Sequence, residues 1–166
     1  MIAPCWLDYF MTMVYLVAAR SKDPRSHIGA VIVGPDNEVR STGYNGLPRQ
    51  VVERPPERHI SPEKYMWYEH AERNAIYNAA RVGVPLKGCR MYTNGLSCAD
   101  CARAVIQTGI TEVVIDDVWG MSGAQWQESL ICAEAMFNEA GVKVMRWSGK
   151  LLGIQKFRGG EVIDGV

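Results

Sequence analysis

Apolar residues recur at helical spacing in four stretches of the chain, and five other short stretches read as strands. Trp6, Leu7, Phe10, Met11, Val14, Val17 and Ala18 predict a helix over about residues 6–20, ended by the polar stretch Ser21-Lys22-Asp23-Pro24-Arg25. Ile28 to Val33 reads as a strand entering the turn Gly34-Pro35-Asp36-Asn37, with Glu38 to Tyr44 returning as its hairpin partner. Residues 45–68 hold four of the eight prolines and many charges, and read as one long loop. A loop of that length inside a compact domain is usually functional or mobile.

Glu69 to Val82 predicts a second helix, with Ala71, Ala75, Ile76 and Ala79 on one stripe and Gly83 as its cap. Cys89 to Thr93 reads as a strand, Cys98 to Thr108 as a helix and Val113 to Ile115 as a buried strand. Trp126, Leu130, Ala133, Phe137 and Ala140 mark a helix over 124–140, and Val142 to Trp147 alternates as a strand does. No pattern emerges after Ser148. Alternating helices and strands predict an α/β sandwich of layers around one sheet, and 166 residues fit a single domain.

Composition narrows the class. Hydrophobic residues make up 48% and charged residues 22%, as in a globular chain. Lys+Arg and Asp+Glu both number 18, which argues against broad binding to a nucleic-acid backbone but leaves room for a local phosphate site. No apolar run approaches membrane-helix length, and no signal peptide is visible. The odd set Cys5, Cys89, Cys98, Cys101 and Cys132 fits a reduced, cytoplasmic compartment.

Two clusters carry chemistry. His70-Ala71-Glu72 opens one predicted helix and Cys98-Ala99-Asp100-Cys101 opens the next. One imidazole and two thiolates suit Zn²⁺, and three ligands rather than four leave a position for water, as in a catalytic site. Helix N-termini favour the thiolate form. Glu72 stands two residues from His70, close enough to shuttle protons without binding the metal, which is the arrangement of zinc deaminases. A lone His-x-Glu is more often a helix surface pair, and a lone Cys-x-x-Cys a redox motif or half a structural zinc site. Together and in this order they point to a catalytic zinc. Cys5, Cys89 and Cys132 read as buried small apolar residues.

From about Asp8 to Trp147 the sequence resembles the deoxycytidylate deaminases, within the cytidine-deaminase-like superfamily. The resemblance rests on Ser21-Lys22-Asp23-Pro24, Gly29 to Val33, Ser41 to Pro48, His70-Ala71-Glu72-Arg73-Asn74-Ala75-Ile76, Gly88 to Tyr92, Cys98 to Cys101 and Ile106 to Ile110. It implies a three-layer α/β/α sandwich with a central mixed five-stranded sheet. It implies zinc held by His70, Cys98 and Cys101, with Glu72 as the catalytic shuttle. It further implies that the Ala71 amide binds the pyrimidine carbonyl, that Asn45 contacts sugar or base, and that Lys22 and Arg25 approach the 5′-phosphate. Trp119 is the expected aromatic neighbour of the substrate. The family commonly forms hexamers and answers to dCTP and dTTP, with effectors, and Mg²⁺ alongside a triphosphate, around Gly43, Tyr44, Asn45, Gly46 and Arg49.

Two positions depart from the family pattern. Ser97 stands where proline usually precedes the first cysteine, and is expected to cap the helix through its hydroxyl. Glu69 stands where an apolar residue usually precedes the histidine. The reaction implied is hydrolysis of deoxycytidylate to deoxyuridylate and ammonia, feeding thymidylate synthesis. The alternatives are a 5-substituted deoxycytidylate or a cytosine nucleoside triphosphate as substrate, a nucleic-acid deaminase, and a non-catalytic zinc or nucleotide-sensing module. Neutral net charge and the lack of a basic, aromatic stripe count against nucleic acid, and Glu72 counts against a purely structural zinc.

Overall fold

The computed structural model describes residues 3–116, 124–153, 156–158 and 161–163 of the 166. Helix α1 (Trp6–Ala18) leads into the hairpin β1 (Gly29–Val33) and β2 (Val39–Tyr44). A 3₁₀ turn (Pro56–His59) and a short helix α2 (Lys64–Trp67) follow, then α3 (Ala71–Val82), β3 (Arg90–Thr93), α4 (Ala99–Gln107), β4 (Glu112–Asp116), α5 (Ala124–Glu139) and β5 (Lys143–Trp147). The strands form one mixed sheet in the order β2-β1-β3-β4-β5. β1 is antiparallel to both neighbours, while β3, β4 and β5 run parallel. This is the expected five-stranded sandwich.

Period-two alternation divides the core between the two faces of the sheet. Ala30, Ile32, Met91, Val113 and Ile115 pack with α3, α4 and α5. Val31, Val33, Tyr92 and Val114 pack with Phe10, Met11 and Val14 of α1. Two glycines set how closely helices approach. A Cβ on Gly29 would lie 2.3 Å from the Val14 carbonyl, and one on Gly43 would lie 2.2 Å from the Ala75 nitrogen. Gly43 therefore brings α3 against β2. Asn74 and Asn78 donate to the Tyr44 and Thr42 carbonyls, and Ser41 donates to the Ala75 carbonyl, holding that approach.

Three expectations change. The 45–68 stretch is not all loop, because it contains the 3₁₀ turn and α2, and Gly46 bridges Glu69 in both directions at 3.0 and 2.8 Å. Cys5 and Cys132 are exposed rather than buried; Cys5 Sγ accepts from the Asp8 amide at the start of α1. The tail after Ser148 holds a small antiparallel pair, β6 (Lys156–Arg158) with β7 (Glu161–Ile163), and Leu152 donates to Thr12 of α1. No helix among the described residues is long and apolar enough to cross a membrane.

Candidate active site

His70 and Cys98 occupy the N-cap positions of α3 and α4, in extended backbone just before each helix. Cys101 follows one turn into α4 and is fully buried. His70 Nδ1 lies 3.4 Å from Cys98 Sγ and 3.5 Å from Cys101 Sγ, and the sulfurs are 3.7 Å apart. Tetrahedral zinc with its usual bond lengths of about 2.3 Å to sulfur and about 2.0 Å to nitrogen requires edges of about 3.7 and 3.5 Å. The triangle therefore fits zinc without rearrangement. Among the described residues this is the one group of three or more His, Cys, Asp or Glu side chains so placed, and no second cluster offers protein ligands for Mg²⁺.

The electrostatics of the group follow from its contacts. The Cys101 thiol donates to Cys98 and, with His70, brings the Cys98 pKa down to about 4 against the cost of burial. Cys101 moves the other way, held as a thiol by that same bond and by burial. The Cys98 sulfur raises the His70 pKa, outweighing desolvation. Glu72 is 2% exposed, and burial raises its pKa above the ordinary carboxylate value. It belongs to the first turn of α3 and lines the same cavity as His70 and Cys98 without joining the ligand group.

The helix starts are braced from behind. Glu69 accepts from the His70 amide at 2.9 Å and from Arg73 at 2.5 Å, and Arg73 also reaches Asp100 of α4 at 3.4 Å. Glu69 thus stands within this bridge between the two ligand-bearing helices. Ser97 does not cap α4. The α4 amide of Ala99 donates instead to Ser129 Oγ of α5 at 3.0 Å. The Ser97 hydroxyl is buried beside Glu72.

A cavity of about 500 Å³ joins the metal-ligand group to a charged group around Asp23. Lys64 of α2, only 6% exposed, donates to both Asp23 oxygens at 2.9 and 2.7 Å. Asp23 also accepts from the amides of Arg25 and Ser26, which shapes the loop between α1 and β1. Arg25 lines the cavity, and its guanidinium has no hydrogen-bond or ion-pair partner among the described residues. Lys22 departs from expectation. Its side chain is 60% exposed, ion-paired with Glu53, and absent from the cavity wall.

Asn45 is on the wall, but its amide is committed. Oδ1 accepts from Ile28 N at 2.9 Å and Nδ2 donates to the Ser26 carbonyl at 2.9 Å, so it secures the loop beneath the cavity. Ala71 is buried on the same wall. Of the residues assigned to effectors, only Asn45 lines this cavity; Tyr44 is exposed and Arg49 pairs with Asn78 of α3. Trp119 lies outside the described residues. The aromatic wall seen here is Trp126 of α5, 5.8 Å from the His70 ring and 5.5 Å edge-to-face from Tyr65.

Lys64, Tyr65, Tyr68 and Trp126 escaped the sequence reading. Three lay in a segment taken for plain loop, and Trp126 satisfied the helical stripe that marks core. The signal available was the Lys64-Tyr65-Met66-Trp67-Tyr68 run, unusually aromatic for a loop, immediately before His70.

Sheet order and helix placement define a sandwich of the cytidine-deaminase-like class. The family model described as the cytidine and deoxycytidylate deaminase zinc-binding region matches residues 4–116. The deoxycytidylate deaminase of Homo sapiens is 38% identical over 152 residues, covering 87% of this chain and 81% of the human protein. An uncharacterized deaminase of Aliivibrio fischeri is 38% identical over 141 residues, covering 84% and 91%. The crystal structure of dCMP deaminase from cyanophage S-TIM5 in complex with dCMP and dUMP superposes with a TM-score of 0.70 at 19% identity, over 89% of this chain and 100% of that one, a likeness of fold. The chain belongs to the cytidine and deoxycytidylate deaminase family.

Proposed function

We propose that this protein hydrolyses deoxycytidylate to deoxyuridylate and ammonia, with one zinc per chain held by His70 Nδ1, Cys98 and Cys101. The observation that carries the reading is a ligand triangle of zinc dimensions sharing one cavity with a buried, non-ligating carboxylate, Glu72. Bound there, zinc would supply a water acidic enough to attack near neutral pH.

The protein's own groups do the rest. Glu72 takes the proton of the attacking water, delivers it to the ring nitrogen, and then serves the departing amine. Burial raises its proton affinity toward that of such a shuttle. The Ala71 amide sits in the first turn of α3, where amides lack intrahelical acceptors, and can donate to the pyrimidine carbonyl. Trp126 and His70 flank the space for the base. Arg25 and Lys64 supply positive charge for the 5′-phosphate, and Asp23 holds both in place.

A product of this kind feeds thymidylate synthesis in the cytoplasm. The assembly expected for this chain is a homo-oligomer, a hexamer, with dCTP and dTTP as effectors at Gly43 to Arg49. Ammonia release from cytidine, deoxycytidine, deoxycytidylate, its 5-methyl derivative and dCTP tests the reading. Fastest turnover of deoxycytidylate is expected; no release from any of them overturns it.

A further inference from the structure

Tyr68 and His59 form a pair beside the cavity that the chemistry above does not use. Tyr68 lines the cavity, and its hydroxyl lies 2.6 Å from His59 Nδ1. The other ring nitrogen, Nε2, lies 2.7 Å from the Glu53 carbonyl. A carbonyl only accepts, so Nε2 must carry a hydrogen. In neutral His59 this leaves Nδ1 without one, and Nδ1 accepts the Tyr68 O–H. The hydroxyl's single donor is then spent on His59.

Protonation reverses the bond. With a hydrogen on both nitrogens, His59 donates to Tyr68 Oη, and the Tyr68 O–H is released to another acceptor. Tyr68 shares the cavity wall with Asp23, Arg25 and Lys64, which places it in the charged part of the cavity. The groups around the pair are few. Glu53 is neutralised by Lys22, Asp23 is held by Lys64, and the Arg58 guanidinium stacks on Trp67 at 3.9 Å.

We propose that Tyr68 is a hydroxyl donor to the anionic group of the ligand, and that His59 is the positioning residue that frees this donor, so that binding the anion takes up one proton at His59. The proton comes from solvent onto Nδ1, and the Tyr68 hydrogen turns from His59 to the ligand oxygen. No covalent bond to carbon changes. This rests on the reading of a phosphorylated substrate and adds to it a proton-linked specificity residue.

The experiment is calorimetric binding of deoxycytidylate and deoxycytidine in buffers of different ionisation enthalpy, from pH 5.5 to 8.5. The zinc-loaded Glu72→Gln protein is used to prevent turnover. Proton uptake with deoxycytidine is subtracted, which removes events at the base. His59→Gln and Tyr68→Phe, each in the same background, then isolate the pair from the phosphate's own ionisation. The expected result is an excess uptake approaching one proton in the parent toward the alkaline end of that range, absent in both variants. Affinity for the monophosphate should fall with rising pH more steeply in the parent than in either variant. Equal proton uptake in parent and variants overturns the inference, as does deoxycytidylate binding no tighter than deoxycytidine. Failure of the functional reading would show separately, as absence of ammonia release by the wild-type enzyme.

Discussion

The two parts of the cavity wall are built by different means. The metal-ligand part rests on helix starts: His70 and Cys98 are N-caps, and Cys101 and Glu72 lie within the first turns of α4 and α3. The charged part rests on the α1–β1 loop and the 45–68 segment, tied by one buried ion pair, Lys64 with Asp23. In the first, local spacing sets Cys98 beside Cys101 and Glu72 beside His70, and the docking of α3 against α4 joins the two short motifs. In the second, partners 41 residues apart must meet, and nothing local announces them. The proposed chemistry stands on the helix starts, while the proposed recognition stands on the loop segments tied by the buried ion pair.

The largest expected effect lies at the helix starts. Glu72→Gln preserves size and hydrogen bonding but cannot shuttle protons, so turnover should fall by at least about 10²–10⁴ with zinc content unchanged. Metal analysis and kcat on the same sample check it. Loss of zinc together with activity would make Glu72 structural. Cys98→Ala and Cys101→Ala should instead lose metal, and stability with it, because metal-binding energy is partly folding energy.

The second prediction moves to the charged part. Lys64→Met leaves Asp23 buried and unpaired, which costs about 3–5 kcal/mol when one partner of a buried pair is removed. Urea unfolding should show that loss, and Asp23→Asn added to Lys64→Met should recover part of it. Lys22→Met is the counterpart on the surface pair with Glu53 and should leave unfolding unchanged. Equal losses in Lys64→Met and Lys22→Met would erase the distinction between a buried and an exposed tie.

These contrasts also explain what could be read from the chain. The four long helices and five sheet strands were legible because their apolar periods are local, and the candidate metal group with Glu72 stood out because His70-x-Glu72 and Cys98-x-x-Cys101 each sit within one helical turn. In the charged part, Arg25 and Asn45 were the residues named from sequence that line the cavity. Lys22 looked equivalent to Arg25 in sequence, yet its direction is decided by Glu53, far along the chain. Trp126 fitted a core stripe because a helix presents one apolar face whether it meets core or cavity. Ser129 could not be foreseen as the partner of an α4 amide, since that bond depends on how α5 docks.

The third prediction concerns pH in the metal-free protein. The folded Cys98 pKa of about 4 lies below the thiol's 9.0, so unfolding takes up a proton at Cys98 throughout that window. This contribution to stability is fully present above pH 9 and is lost as pH falls toward about 4. Glu72 opposes it: its raised pKa makes stability fall as pH rises beyond 4.5 toward the folded value. His70, also raised, contributes stability below 6.5 that is lost as pH rises through its folded value. Unfolding of chelator-treated protein across this range should therefore show a less positive slope with pH in Cys98→Ser than in wild type. An unchanged slope would mean that Cys98 is not the thiolate of the pair.

The smallest expected effect separates Arg25 from Lys22. Both sit in the polar stretch after α1, and sequence alone treats them as joint phosphate ligands. In the fold, Arg25 borders the cavity with its guanidinium unpaired among the described residues, whereas Lys22 is exposed and paired with Glu53. A charged hydrogen bond is worth about 1.5–3 kcal/mol, or about 10- to 150-fold in affinity. Arg25→Ala should therefore lower kcat/KM for deoxycytidylate by about that factor while sparing deoxycytidine, which has no phosphate to lose. Lys22→Ala should leave the ratio of the two substrates where it was, because a solvated lysine outside the wall makes no contact to remove. The ratio is the right measure, since general damage to the fold lowers both substrates together. If Lys22→Ala narrows the preference as much as Arg25→Ala does, the loop must turn when substrate enters, and Lys22 must leave Glu53 to reach the phosphate. The ion pair with Glu53 would then be a resting position, and Glu53→Gln alone should strengthen deoxycytidylate binding.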